Sequence, residues 1–135
     1  MSAPKRRVQL SIFLSNRPGV LEEVCATLAR ADVNLLAMTV SDTVDACIVR
    51  LVPDDPERAA HLLEAGGLLV LETDVLVVDL PHRAGALRDL SAKLAKAGVN
   101  IEYLYATVAP GAKKASVILR PNHLEKAERI LGGRR

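Results

Sequence analysis

Asn16-Arg17-Pro18-Gly19-Val20-Leu21 and, 66 positions later, His82-Arg83-Ala84-Gly85-Ala86-Leu87 each place a glycine where a turn feeds a run of helical periodicity. The start of a helix offers unpaired N–H groups and a partial positive charge, which together suit a carboxylate. Glycine in such a turn lets another group approach the backbone closely. Asn34 and Asn100 also stand 66 apart. An asparagine amide has both a donor and an acceptor. The same residues have a plainer reading. The glycines can serve only a tight turn, Asn16 and His82 can be solvated loop residues, and Asn34 and Asn100 can simply begin a strand. Tyr103 and Tyr105 fall on one face of a strand, where they either close a pocket with their hydroxyls or pack.

Other chemistry finds less support. Nucleophilic catalysis needs a Ser, Cys or Thr beside a positioned base and an oxyanion hole, and His61, His82 and His123 have no such partner set. Glu22-Glu23 and Asp54-Asp55 fall at helix starts, where the helix dipole is sufficient reason for them. Cys25 lies on an apolar helical stripe and Cys47 in a strand-like run. With no Cys-x-x-Cys and no histidine at ligand spacing, both read as small core residues. The expectation is a protein that is not an enzyme and holds no metal or cofactor.

The elements that position these residues come in two copies. Between 17–34 and 83–100, nine of eighteen positions are identical, and after a two-residue insertion at the Pro110-Gly111 turn, Val49, Leu51, Pro53, Glu57, Ala59 and Leu63 recur as Val117, Leu119, Pro121, Glu125, Ala127 and Leu131. The spacing predicts two domains, 1–73 and 74–135. In the first, Val8, Leu10, Ile12 and Leu14 alternate with Gln9, Ser11 and Phe13 as in a half-buried strand. Pro18 suits the first position of a helix, whose stripe is Val20, Leu21, Val24, Cys25 and Leu28, running to about Ala31. Strands follow near 34–40 and 46–52 around a turn at 41–45. Asp55 and Pro56 then open a helix over 57–64, Gly66-Gly67 stops it, and a strand covers 68–72. The second copy repeats this with strands near 74–80, 100–108 and 114–120 and helices near 84–97 and 122–131, but it lacks the last strand. The fold class is therefore α+β: two ferredoxin-like βαββαβ sandwiches in tandem, each an antiparallel sheet with helices on one face.

Composition narrows the function classes. Half of the residues are hydrophobic and 2% aromatic, which suits a packed core but not a base-stacking platform. Of 18 Lys and Arg, five lie at the ends (Lys5, Arg6, Arg7, Arg134 and Arg135), leaving 13 against 16 Asp and Glu. A mildly acidic body argues against nucleic acid as a partner, and the basic ends read as solvated tails. Over 8–73 there are 4 basic against 10 acidic residues; over 74–135, Arg134 and Arg135 aside, 9 against 6. Opposite signs would favour docking of the copies. No stretch approaches a secretory signal or a membrane span, so a cytoplasmic protein with no membrane partner is expected.

Leu14-x-Asn16-Arg-Pro-Gly-Val-Leu21, then Val33-Asn34-Leu35 twelve residues on, within a βαββαβ order, resemble an ACT domain, and Val99-Asn100-Ile101 marks a second copy; about 8–131 is covered. The chain resembles small tandem-ACT proteins. The resemblance implies an amino-acid-binding regulatory protein whose partners are a free amino acid and an enzyme of amino-acid metabolism, with the ligand held where the strand 1–helix 1 turn of one module meets strand 2 of a neighbour. It implies ligand-binding roles for Asn16, Arg17, Gly19, Val20, Leu21 and Asn34, and for His82, Gly85, Ala86, Leu87 and Asn100, with His82 and Ala84 replacing the Asn and Pro of the first turn. The alternative is an assembly or regulatory subunit that binds no ligand and uses its sheets for protein contact.

A homodimer is also expected. Asp74–Leu80 is apolar on both faces for most of its length and has no last strand beside it. Thr73 leaves almost no turn for Leu68–Glu72 to fold back, so a second chain is the easier cover for this edge. Phe13, on the helix-free face, adds apolar surface for two sheets to bury together.

Overall fold

The computed structural model describes residues 3–43 and 45–133. Val44, within the turn expected at 41–45, and the basic Arg134 and Arg135 lie outside the described residues. Ten elements follow the expected order: β1 (Lys5–Ser15), α1 (Val20–Arg30), β2 (Leu35–Asp42), β3 (Ala46–Pro53), α2 (Pro56–Ala65), β4 (Val70–Pro81), α3 (Ala86–Lys96), β5 (Ile101–Thr107), β6 (Lys114–Pro121) and α4 (Leu124–Leu131). They form two compact units. One is Val8–Thr73; the other joins the residues up to Arg7 with those from Asp74 onward.

In the first unit β3 pairs antiparallel with β1 on one side (Leu10 opposite Leu51, Leu14 opposite Cys47) and with β2 on the other (Met38 opposite Leu51, Asp42 opposite Cys47). Even-numbered Leu10, Ile12 and Leu14 point with Val49 and Leu51 into one core against Val24 and Leu28 of α1 and Ala59 and Leu63 of α2. Helices therefore cover one face only. Phe13 points the other way and stays 43% exposed. The α1 stripe is narrower than expected. Val20, Val24 and Leu28, four residues apart, are buried, whereas Leu21 is exposed and Cys25 only half-buried. The next residue round a helix lies about 100° off the contact line, too far to reach the sheet. Cys47 packs at the edge of this core.

The second unit repeats the plan. β6 pairs with β4 (Leu76 opposite Leu119) and with β5 (Leu104 opposite Leu119), and Leu76, Val78 and Leu80 meet Leu90 and Leu94 of α3 and Ala127 and Leu131 of α4. Tyr103 and Tyr105 share one face, opposite Arg120 and Ile118. The inserted turn is closed by Ala112 N–H to Ala109 O at 2.9 Å, with Gly111 at φ 77°. No strand follows α4 among the described residues.

Two expectations change at the start of β4. The strands read as 68–72 and 74–80 are one strand, because nothing between Leu68 and Leu80 is a glycine, proline or asparagine able to turn the chain. The edge of this strand opposite β6 is also covered within the chain, its hydrogen-bonded neighbour being β1. The residues up to Arg7 belong to the second unit, where Arg6 Nη2 lies 3.0 Å from Glu128 Oε1 on α4. A second chain is therefore not needed as cover. The period-2 reading stopped at Val8, where the charges of Lys5, Arg6 and Arg7 hide the three further residues of β1.

Candidate functional site

β1 ends at Ser15, and the chain reaches α1 through a turn tied by Arg17 N–H to Ser15 O at 3.0 Å. Gly19, at φ 86°, occupies the N-cap of α1, so Pro18 stands ahead of the helix instead of at its first position. Gly85 does the same for α3 at φ 88°. An ordinary N-cap has an extended backbone and a side-chain oxygen to satisfy the first N–H groups. Here the cap is left-handed and glycine has no side chain, so neither helix has a side-chain cap. The first turns are left with donors and partial positive charge.

The residues around the two turns differ. Asn16 Nδ2 donates to Asp42 Oδ1 at the end of β2, 2.7 Å away. In the second copy His82 N–H donates to Lys113 O at 2.8 Å. Arg17 lies 3.8 Å from Glu23, both well exposed, which is worth little. Arg83 is closer to its acid, with Nη2 2.9 Å from Asp89 Oδ2. The hydrogen bond from Arg83, with the charges of Arg83 and Arg88, holds the Asp89 carboxyl below the usual carboxylate range. Val20 and Ala86 send their side chains into the two cores, so only their backbone faces the turn; Leu21 and Leu87 are exposed.

Asn34 and Asn100 sit elsewhere in their modules. Each precedes its strand and is held through its backbone: Asn34 N–H donates to Asp54 Oδ1 at 3.0 Å while Asn34 O accepts from Asp54 N–H at 2.9 Å. Asn100 and Asn122 make the same pair of bonds at 2.9 and 3.0 Å. The exposed asparagine amides take no part in these bonds. Asn16 lies at the Asp42 end of β2 and Asn34 before Leu35, so the eight residues of β2 separate them, about 25 Å of extended chain. One module does not bring them together. Asp42 and Asn122 escaped the sequence reading, which takes Asp54 only as a helix-start acid. For Asp54 and Asn122 a signal existed: each follows the proline of the repeat, 68 positions apart.

Clefts flank α1 and α3 at equivalent places, about 250 Å³ beside α1 and about 360 Å³ beside α3. Among the described residues no three of His, Cys, Asp and Glu come together as metal ligands, and no helix is long and apolar enough to cross a membrane.

The same architecture occurs in solved structures. Protein BT0572 from Bacteroides thetaiotaomicron is 34% identical, with a TM-score of 0.90 over 98% of this chain and 90% of that one. The regulatory subunit of aspartate kinase from Thermus thermophilus, in its ligand-free form, is similar in fold at 16% identity, with a TM-score of 0.73 over 96% and 95% of the two chains. Aspartokinase III from E. coli, in complex with lysine and aspartate, is 19% identical with a TM-score of 0.57 over 96% of this chain and 31% of that one. No match occurs among curated proteins. The family described as ACT domain pair matches residues 6–133. That span takes in both βαββ-α units together with Arg6 and Arg7 of β1, and by it the chain belongs to the ACT domain pair family.

Proposed function

We propose that this protein is a regulatory amino-acid-binding protein without catalysis of its own, which responds to a free amino acid at its strand 1–helix 1 turns and acts on an enzyme of amino-acid metabolism in the cytoplasm. The observation that carries the reading is the repeated turn: a left-handed glycine before α1 and α3, with no side chain capping either helix. Such an end suits the ligand's carboxylate. Asn16 Nδ2 is engaged by Asp42, which leaves the Asn16 carbonyl oxygen as an acceptor for an ammonium group. The fold shared with aspartate kinase regulatory subunits, and the lysine and aspartate named with E. coli aspartokinase III, support a ligand of this class.

A pocket that uses both Asn16 and Asn34 needs two modules, since they stand at opposite ends of β2. We therefore include a homodimer in the reading, with each copy offering a turn to the other's β2. Phe13, Val40 and Leu36 leave apolar surface for such an association.

A thermal-shift screen of the full chain against the twenty amino acids tests the proposal. At a hundredfold excess over Kd the expected gain is about 2.7 kcal/mol, several degrees in Tm. Asn34→Ala should weaken binding roughly ten- to a hundredfold by removing a hydrogen bond to a charged group. No shift with any amino acid at millimolar concentration would refute the ligand and favour the assembly-subunit alternative. Light scattering at micromolar protein should report twice the chain mass, and a monomer there removes the dimer.

A further inference from the structure

The cleft on the flank of α3 starts at the turn, where it shares Arg83 and Ala86, and runs along the helix to Lys96. Its described lining residues lie between Leu80 and Lys96, within one unit. Leu80, Ala86 and Leu90 form an apolar floor that also belongs to the core. Four charged side chains are among its described lining residues. Arg83 and Asp89 satisfy each other at 2.9 Å, so the charge left over is that of Lys93 and Lys96, neither of which has an ion-pair partner among the described residues. The two lysines are one turn apart on the same side of the helix.

The first repeat supplies an internal comparison. Its cleft shares the matching Leu14, Arg17, Val20, Glu23, Val24 and Thr27, extends to Leu62 and Leu63 of α2, and is smaller, about 250 Å³. Val20 stands where Ala86 does and Thr27 where Lys93 does, so the charges among its described lining residues are Arg17 and Glu23, which pair; Arg30, the match of Lys96, is not in that lining. A basic residue near a helix C-terminus is favoured by the dipole alone. The dipole does not account for a larger hollow beside Lys93, whose counterpart in the first repeat is the uncharged Thr27.

We infer that the α3 cleft binds a free aliphatic monocarboxylate, its chain lying over Leu80, Ala86 and Leu90 and its carboxylate between the ammonium groups of Lys93 and Lys96. From Ala86 to Lys93 the helix rises about 10 Å, the reach of a chain of roughly six to eight carbons. The burial of that chain supplies affinity and the paired ammonium groups supply the preference for an anion. This site needs no ammonium on its ligand and uses none of the turn N–H groups; it shares with the amino-acid reading only the side chain of Ala86.

The test is a titration of the ¹⁵N-labelled full chain with hexanoate, with 1-hexanol and hexylamine as matched controls, followed by amide chemical shifts. Hexanoate should give saturable shifts confined to Leu80–Lys96. Affinity should fall about tenfold or more in the Lys93→Gln, Lys96→Gln double variant. Both lysines are exposed, so that variant keeps its fold. Ala86→Val, which copies the first repeat's residue, should weaken binding of the same probe by narrowing the floor. The inference is overturned if hexanoate gives no saturable shift on α3 at 20 mM, if hexanol or hexylamine binds as well as hexanoate, if Val20–Arg30 responds equally, or if the double variant binds like the parent. A chain that binds no amino acid but shows the expected hexanoate response would lose the proposed function and keep this site.

Discussion

Gly19 and Gly85 hold φ near 86° and 88°, a conformation in which an L side chain crowds the following carbonyl. A methyl group added at Gly19 meets no atom within 4 Å, so Gly19→Ala isolates the backbone cost. We expect a loss of about 1–2 kcal/mol in urea unfolding, with m unchanged. Asp89 gives a second measurement at this scale. Its folded pKa is lowered by Arg83, so the pair's stabilisation is present above the ordinary carboxylate pKa and fades as pH falls through the lower, folded value. A carboxyl-carbon NMR titration should place the Asp89 midpoint below the usual aspartate range, and Arg83→Gln should raise it towards that range. An unchanged midpoint in the variant would show that Arg83 is not the cause.

Helix starts show how one element plan tolerates different chemistry. Asp55 caps α2 by accepting from Arg58 N–H at 3.2 Å, as its place before Pro56 and Glu57 suggested. His123 occupies the same place before α4 in nearly the same backbone conformation, φ −131° and ψ 91° against −129° and 84°, but makes no side-chain cap. Asp55→Ala should therefore cost about 1 kcal/mol, and His123→Asp should gain a comparable amount by supplying the missing acceptor. Thermal unfolding of the two single variants checks both signs. A neutral His123→Asp would mean that water already satisfies the first N–H groups of α4.

Over the whole molecule, the first strand serves two units. Its residues from Val8 build the first core, while those up to Arg7 group with the second unit beside α4. The side chains of the Arg6–Glu128 pair are 39% and 30% exposed, so Arg6→Ala should change stability by less than about 1 kcal/mol. Removing residues 1–7 takes away backbone as well. Amide exchange over Asp74–Leu80 should then speed up by about tenfold or more while Leu10–Leu14 keeps its protection. Equal exchange in the full and shortened chains would show that this segment contributes no structure to the second unit.

The repeat, the βαββ-α order of each copy and most core positions were legible because they depend on local periodicity and on glycine and proline punctuation, which a single sequence displays. Val24 and Leu28 follow from spacing alone, as does Asp55 as a cap. Tertiary structure decided what depends on residues far apart in the chain. Lys5–Arg7 look like a solvated tail until the uncovered side of β4 gives their backbone hydrogen-bonding groups a place in a sheet, and the charged side chains record nothing of that need. Asn16 and Asn34 look like partners in sequence because both flank the same helix, yet α1 runs the length of the module and carries the chain from one end to the other, leaving them at opposite ends of β2. Asp42 meets Asn16 only because two antiparallel pairings, β1 with β3 and β3 with β2, bring the ends of β1 and β2 to the same edge of the first unit. Side-chain type limits which bonds are possible, and chain topology determines which of them form.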